Sequence, residues 1–169
     1  WAAVAPMSVE RSAPAAAAVG GKLYAIGGRR GSGGGLKGVE AFDPQTGAWA
    51  AVAPMATARE AARAAALDGE RYVAGGHDGS SYLSSMEIYD SATDTWAAAA
   101  PMATSRMSIG MAAVGGKIYA AGGEGEGVSS TSSVEVFDPQ SNTWSAVAPM
   151  STGRSEFGLA VMRGKLYAV

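Results

Sequence analysis

The stretch RMSIGMAAVGGKIYAAGGEGEGVSSTSSVEVFDPQSNTWSAVAPM, residues 106–150, contains every feature that recurs along this chain. Its tryptophan is the last of four, which are spaced by 48, 47 and 48 residues. An arginine follows each tryptophan by 10 positions and a tyrosine by 23, with a Pro-Met pair between tryptophan and arginine. The recurring residues are Trp1, Trp49, Trp96, Trp144, Arg11, Arg59, Arg106, Arg154, Tyr24, Tyr72, Tyr119 and Tyr167. A fixed period of this length predicts a row of similar modules.

The order of strands and turns within this stretch predicts one antiparallel sheet. MSIGMAAV (107–114) and KIYAAGG (117–123) are short apolar runs separated by glycines, which is typical of buried strands. SVEVFDP (133–139) alternates apolar and acidic residues, and WSAVAP (144–149) follows a polar turn. Four strands joined in sequence by short turns form one blade of a β-propeller.

The second module contains a conflict between local propensity and the repeat. Residues 56–71, ATAREAARAAALDGER, favour a helix when considered alone, because Ala, Arg and Glu are good helix formers. However, Arg59, Tyr72 and the Gly75-Gly76 pair keep their places in the repeat. A helix rises only about 1.5 Å per residue, against about 3.3 Å for a strand, and could not cover the same distance. We therefore predict two strands here.

The composition excludes several functional classes. A net charge of −2 does not provide the basic surface of a nucleic-acid binder. No apolar run approaches the roughly 18 residues that a membrane span needs, and the first residues do not resemble a secretory signal. The chain has no cysteine, which excludes disulfides, thiolate catalysis and cysteine-ligated metals. We expect no nucleic-acid or membrane partner, no metal and no cofactor.

The recurring frame Arg…Gly-Lys-aliphatic-Tyr…Gly-Gly…Val-Glu-x-aromatic-Asp-Pro…Trp…Pro-Met resembles the kelch repeat along the whole chain. A WD-type propeller is excluded, because its period is shorter and its Gly-His and Trp-Asp pairs are absent from their places. The stretch GGHDGSSYLSSMEIYD (75–90) most resembles the propellers of BTB-kelch (kelch-like) proteins. The resemblance implies an all-β fold: a partial kelch β-propeller with about three complete four-stranded antiparallel blades and parts of a fourth.

The period also predicts where each blade begins and ends. Residues 1–8 are expected to form the outer strand of a preceding blade, and residues 154–169 the first two strands of a further one. The complete blades are predicted at 11–55, 59–102 and 106–150. Propellers close with about 4–8 blades. The remaining blades are therefore expected from the same longer chain or from a second copy.

Most recurring residues are expected to be structural, because each blade must bury the same faces against its neighbours. The tryptophans, the tyrosines and the aromatic residues Phe42, Tyr89 and Phe137 would fill the space between blades. The Gly-Gly pairs would allow a strand end to approach the next sheet closely. The four arginines share their period with Glu40, Glu87 and Glu135, which predicts a polar bridge between blades, with each guanidinium bound to a carboxylate or to backbone carbonyls.

The loops that do not repeat are the ones free to carry function. They are RRGSGGGLKG (29–38), HDGSSYLSS (77–85) and EGEGVSSTSS (124–133), together with the stretch after each Pro-Met pair. A phosphate-binding interpretation of residues 27–35 lacks the required helix and lysine. The resemblance implies that both sets of loops open on one face and bind a partner peptide. The candidate residues are Arg29, Arg30, Ser32, His77, Asp78, Ser80, Tyr82, Ser108, Glu124, Glu126, Ser129, Ser130 and Glu156. Loops rich in Gly, Ser and Arg are also ordinary solvated turns.

These observations favour a protein–protein interaction module, which as a kelch-like protein would serve substrate recognition in a ubiquitin-ligase adaptor in the cytoplasm. One alternative is a structural repeat segment of a larger assembly. The other is part of a sugar-processing kelch enzyme. The copper chemistry of such enzymes needs several His and Tyr ligands and a cysteine-modified tyrosine, whereas this chain has one histidine, His77, and no cysteine. We predict that the chain is not an enzyme and has no catalytic residues.

Overall fold

The structure, a computed structural model, describes residues 3–169. Within this range the chain forms strands and no helix, so no described helix can cross a membrane. The strands make three four-stranded antiparallel sheets and one two-stranded sheet. The predicted all-β class with about three complete blades and part of a fourth is confirmed.

Each four-stranded sheet is built from consecutive strands in chain order. The first contains β1 (Ala15–Val19), β2 (Lys22–Ile26), β3 (Val39–Asp43) and β4 (Ala48–Val52). The second contains β5 (Arg63–Leu67), β6 (Glu70–Ala74), β7 (Met86–Asp90) and β8 (Thr95–Ala99). The third contains β9 (Gly110–Val114), β10 (Lys117–Ala121), β11 (Val134–Asp138) and β12 (Thr143–Val147). The terminal sheet pairs β13 (Leu159–Met162) with β14 (Lys165–Ala168).

The helix-favouring stretch of the second module forms strands, as the repeat predicts. Arg63 of β5 pairs with Ala74 of β6, and the two strands are joined by a turn at Asp68-Gly69. Ala62 and Ala65 are buried there against the neighbouring sheets. Sheet pairing and burial outweigh the helix propensity of alanine, which is only a weak preference per residue.

The core lies between successive sheets. The first strands β1, β5, β9 and β13 pack side by side in chain order, so they lie at the centre and the fourth strands at the periphery. Aromatic rings meet across the sheets: Tyr24 lies 5.9 Å from Tyr89, and Tyr72 lies 6.0 Å from Phe137. Phe137 in turn packs on Trp144 at 5.3 Å. The predicted aromatic filling between blades is confirmed for Tyr24, Tyr72, Tyr89 and Phe137, whereas Tyr167 is exposed.

Residues 3–8 pair with no described strand, so the outer strand expected at residues 1–8 stays a prediction. They still lie against the first sheet. The carbonyl of Ala5 accepts a hydrogen bond of 2.9 Å from Trp49 Nε1. The same bond recurs from Trp96 to Ala53 and from Trp144 to Ala100, so each of these indoles ties two adjacent units together. Trp1 and Ala2 lie outside the described residues.

Candidate functional site

The loops between second and third strands and the segments that lead into the first strands lie side by side at one end of the sheets. The loops comprise residues 27–38, 75–85 and 122–133, and the lead-in segments that follow the complete sheets comprise 53–62, 100–109 and 148–158. The lead-in segments 53–62 and 100–109 are each inserted between two loops, and the segment 148–158 lies against the third loop. Glu60 forms a bridge with His77 of the second loop, while Arg59 pairs with Leu36 of the first. We call this end the loop face.

Buried arginines hold the lead-in segments in place. Arg59 Nη1 donates to the carbonyls of Gly75 and Ser85 at 2.9 Å each, and Nη2 lies 3.0 Å from Glu87 Oε1. Arg11 pairs in the same way with Glu40, and Arg106 with Glu135. Burial lowers the pKa of Arg59, while the hydrogen bond and charge of Glu87 oppose that shift.

The prediction that the repeating arginines pair with the repeating glutamates is correct, but the prediction that these pairs link two blades is wrong. Each carboxylate belongs to the arginine's own sheet, so the ion pair does not cross between blades. The main chain of Arg59 makes the crossing instead, because its carbonyl accepts from Gly28 N at 2.8 Å and its N–H donates to Leu36 O at 3.1 Å. With its backbone committed to the preceding blade, the arginine directs its side chain into its own sheet. The buried arginines are therefore structural and leave the loop face to other residues.

Backbone hydrogen bonds link successive lead-in segments in an open arc at the centre of the loop face, which we call the inner ring. Ala13, Ala61, Ser108 and Glu156 all lie two positions after the repeating arginine and have φ between 48° and 54°. Ala61 N donates to Ala13 O at 3.0 Å, Ser108 N to Ala61 O at 2.9 Å, and Glu156 N to Ser108 O at 3.0 Å. This inner ring fixes the backbone of the central opening, and only its side chains differ between units.

Three cavities open around the loops. The central cavity, about 450 Å³, is lined by Ala13, Pro14, Ala16, Ala61, Arg63, Ser108 and Glu156. The basic cavity, about 250 Å³, is lined by Glu10, Arg11, Ser12, Arg29, Arg30 and Gly31. The loop cavity, about 350 Å³, is lined by His77, Ser80, Ser81, Tyr82, Ser105 and Glu126. The first two loops touch, since a Cβ on Gly34 would lie 3.1 Å from the carbonyl oxygen of Asp78.

The structure brings most of the sequence-predicted residues together in these cavities. His77, Ser80, Tyr82 and Glu126 share the loop cavity. Ser108 and Glu156 share the central cavity, and Arg29 and Arg30 the basic one. Ser32, Ser129 and Ser130 are exposed and line none of the three.

Two predicted residues shape the loops rather than line a cavity. Asp78 Oδ1 accepts hydrogen bonds from the backbone N–H groups of Ser80 and Ser81 at 2.7 and 2.8 Å, and these bonds lower the pKa of its carboxyl. Glu124 accepts a hydrogen bond of 3.1 Å from Ser108 Oγ, which joins the third loop to the inner ring.

Two charged residues of the face, Glu60 and Arg63, were not named as candidates from sequence, although Glu60 ends the candidate stretch after the second Pro-Met pair. Glu60 Oε2 lies 3.2 Å from Arg29 Nε of the first loop, and the backbone of Glu60 exchanges two hydrogen bonds of 2.9 Å with that of His77 in the second loop, so Glu60 connects the first two loops. Arg63 lines the central cavity at a position where the first and third sheets have Ala15 and Gly110. The available signal was this departure from the repeat, which the helix-like composition of residues 56–71 concealed.

His77 is held from two sides. Its Nδ1 accepts a hydrogen bond of 3.0 Å from Gly79 N, and its ring packs edge-to-face on Tyr82 at 5.2 Å. An imidazole that accepts at Nδ1 carries its proton on Nε2 in the neutral form. Residues 3–169 contain no group of three or more His, Cys, Asp and Glu side chains that could hold a metal ion.

Comparison with known proteins places this geometry in a wider context. The family model described as KLHDC2/KLHL20/DRC7 Kelch-repeats domain matches residues 3–169. Among solved structures, the chain is similar to the one described as "Structure of YjhT", with a TM-score of 0.85 and 18% sequence identity. The match covers 98% of this chain and 61% of that one, so this chain spans less than two thirds of its length. At this identity the likeness shows the fold alone. No curated protein matches the chain.

Proposed function

The chain belongs to the kelch-repeat family, as the sequence predicted, and from that premise we propose that its loop face binds an extended peptide of a partner protein. Kelch-repeat domains are generally protein-interaction modules.

The observation that carries the proposal is the sequence of cavities along the loop face. The basic cavity contains Arg11, Arg29 and Arg30 against one glutamate, Glu10, the central cavity contains one arginine and one glutamate, and the loop cavity contains Glu126. A polyanion would meet the acidic end unfavourably. One extended segment with charges of both signs can complement all three, which is how charged surfaces obtain specificity.

The inner ring supports the same proposal through rigidity. Backbone hydrogen bonds join the lead-in segments directly, so the cavities stand on a fixed frame before any ligand arrives. Preorganisation reduces the entropy lost on binding. A peptide that buries only a moderate area on this face can therefore still bind with measurable affinity.

A finer role follows from the resemblance of residues 75–90 to BTB-kelch propellers: substrate recognition in a cytoplasmic ubiquitin-ligase adaptor. In that role the bound peptide would belong to a protein that becomes ubiquitinated. We also propose that the chain is not an enzyme, which is supported by the absence of cysteine and by a single histidine in the sequence. A purely structural segment is the competing proposal, and it requires no ligand on the loop face.

The test is selection of peptides from a random display library on the full chain. Selected peptides are then measured against an Arg29→Ser, Arg30→Ser variant and against a control variant, Gln45→Ala, Gln140→Ala. The control residues are exposed in turns at the opposite end of the sheets. We expect the loop-face variant to weaken binding at least tenfold and the control to leave it unchanged. Failure to select any peptide would favour the structural segment, and equal binding by both variants would overturn the placement of the peptide on the arginines of the loop face.

A further inference from the structure

We propose that the loop cavity is a subsite for a positively charged side chain, lysine or arginine, of the bound peptide. The inference rests on the proposed peptide-binding function and specifies which residue type the peptide must place between the second and third blades.

The walls offer acceptors and an aromatic ring. Three serine residues, Ser80, Ser81 and Ser105, line the cavity together with the carboxylate of Glu126 and the ring of Tyr82. Within residues 3–169, Glu126 has neither a hydrogen-bond nor an ion-pair partner. A guanidinium or ammonium group presents only donors, so hydroxyl and carboxylate oxygens complement it. A tyrosine ring adds a cation–π contact.

The charges of the two adjoining loops have the same sign. Residues 77–85 carry Asp78, and residues 124–133 carry Glu124 and Glu126, with no lysine or arginine in either loop. The nearest repeating arginine, Arg106, is buried and neutralised by Glu135. The first loop, by contrast, carries Arg29, Arg30 and Lys37. An acidic side chain is therefore favoured at the first loop and repelled from the loop cavity.

The aromatic wall is fixed before a ligand binds. Tyr82 packs edge-to-face on His77 with an interplanar angle of 80°, and the backbones of the two residues form a bridge across the loop. The bond from Gly79 N to His77 Nδ1 holds the imidazole in turn. Because the ring keeps its position, a cation that enters the cavity meets it without a rearrangement.

The experiment uses the isotopically labelled full chain and two small probes at pH 7.5. Nα-acetyl-arginine methylamide is the charged probe, and Nα-acetyl-citrulline methylamide is its neutral isostere. We expect the arginine probe to shift the amide signals of Tyr82, Ser105 and Glu126 and the citrulline probe to bind at least threefold more weakly. Added salt should weaken arginine binding, because these charges are exposed to solvent.

Two variants make the test specific. Glu126→Gln preserves shape and removes the charge, and it should weaken the arginine probe about fivefold, the upper range for an exposed ion pair. Asp68→Asn removes an exposed charge from the turn at the opposite end of the sheets and should change nothing. Equal binding of the two probes, or no effect of Glu126→Gln, would overturn the subsite.

The outcomes also separate this inference from the function on which it rests. If selected peptides bind the loop face without a conserved basic residue and Glu126→Gln binds them normally, the subsite is wrong and the function stands. If the arginine probe binds as expected but no peptide can be selected, the subsite stands and the peptide-binding function is wrong.

Discussion

Arg106 and Arg154 occupy the same place in the repeat, yet one is buried and the other exposed. Their backbones make the same link to the preceding blade: Gly76 N donates to Arg106 O at 2.9 Å, and Gly123 N donates to Arg154 O at 2.7 Å. Only Arg106 buries its side chain, against Glu135 and the carbonyls of Gly122 and Ser133. Within residues 3–169 no third strand stands beside β14 to receive Arg154. The side chain of the repeating arginine is therefore buried only where its own sheet is complete. Its backbone hydrogen bonds, in contrast, require only the preceding blade.

The sheets around these arginines differ in the same way. Val73 of β6 and Ile118 of β10 are fully buried between neighbouring sheets. In the terminal sheet, Val161 and Met162 are 43% and 55% exposed. An apolar cavity of about 230 Å³ separates this sheet from the third one, lined mainly by Tyr119, Val134, Val147, Met150, Leu159 and Leu166. The comparison indicates that stability is concentrated in the two interfaces between complete sheets.

The largest expected effect comes from the two arginines themselves. Arg106→Ala leaves Glu135 buried without its cation and should cost about 3–5 kcal/mol in the free energy of unfolding. Arg154→Ala removes an exposed side chain and should cost no more than about 0.5 kcal/mol. Urea denaturation of both variants measures the difference. Equal costs would mean that Arg106 gains nothing from its own sheet.

Two glycines of the second blade test the close approach between the end of β6 and the segment that leads into β5. A Cβ on Gly76 would lie 2.7 Å from the carbonyl oxygen of Glu60 and 3.0 Å from Ala62 Cβ, whereas a Cβ on Gly69 meets nothing within 4 Å. Both have positive φ, so either alanine carries about 1–2 kcal/mol of backbone strain. Gly76→Ala should cost about 2 kcal/mol more than Gly69→Ala, through overpacking. Similar thermal stabilities for the two variants would contradict the close packing.

The interface between the first and second sheets contains a buried arginine, Arg71, which the interface between the second and third sheets lacks. Arg71 is 1% exposed, its guanidinium lies 3.9 Å from the centre of the Tyr24 ring, and its Nε and Nη1 have no hydrogen-bond partner. Leu23 and Ile118 occupy its position in the other two complete sheets. We expect Arg71→Leu to raise stability by about 1 kcal/mol, because it removes unsatisfied buried donors.

The control for Arg71 lies at the equivalent place in the other interface. Ile118→Leu keeps the volume and should cost less than about 1.5 kcal/mol. If Arg71→Leu were destabilising by more than its control, the cation–π contacts to Tyr24 and Tyr89 would be the dominant contribution of that arginine.

The smallest effect concerns acid stability and again contrasts the two interfaces. Asp94 Oδ1 accepts hydrogen bonds from Tyr89 Oη at 2.6 Å and Ala53 N at 2.9 Å, and the Tyr89 bond lowers its pKa. Asn142 makes the equivalent bond to Ala100 N without a titrating group. Because the folded pKa is below the unfolded one, the stabilisation exists above about pH 4 and is lost as the pH falls further.

Asp94→Asn isolates that contribution. The amide keeps an acceptor for Ala53 N, as Asn142 does for Ala100, and it does not titrate. The variant should lose less stability than the parent chain between pH 5 and pH 2.5, measured by urea denaturation at each pH. A parallel loss in both proteins would show that Asp94 titrates alike when folded and unfolded.

The strands could be predicted from sequence because the same residues recur at the same positions in every unit, so a doubtful segment of one unit could be assigned from its equivalents. Arg59, Tyr72 and the glycine pair overruled the helix propensity of residues 56–71, and strands formed there. The repeat could not reveal which sheet receives the arginine side chain. The spacing of arginines and glutamates along the chain would be the same if Arg59 bound Glu87 of its own sheet or the equivalent glutamate of a neighbouring sheet. The direction of the side chain depends on the backbone pairing with Leu36, which only the structure provides.

Residues of the candidate site could be predicted from sequence where they lie in loops that differ between units. They were not predicted where a single strand residue differs from its equivalents in the other units. His77, Tyr82 and Glu126 were chosen as loop residues, and the structure brings them together in one cavity. Arg63 and Arg71 replace small or aliphatic residues at strand positions, and neither was predicted as functional or buried. An arginine in a sequence is expected to be exposed to solvent because it is charged. Only the structure shows that Arg71 is buried and that Arg63 lines a cavity.

Native-state hydrogen exchange of the full chain tests the central comparison most directly. We predict that the amides of β6, β9 and β10 and those of the inner ring, Ala61 N and Ser108 N, exchange only through global unfolding, and that β13 and β14 exchange at least a hundredfold faster. Uniform protection across all four sheets would contradict the account, because it would mean that the terminal sheet is as firmly held as the complete ones.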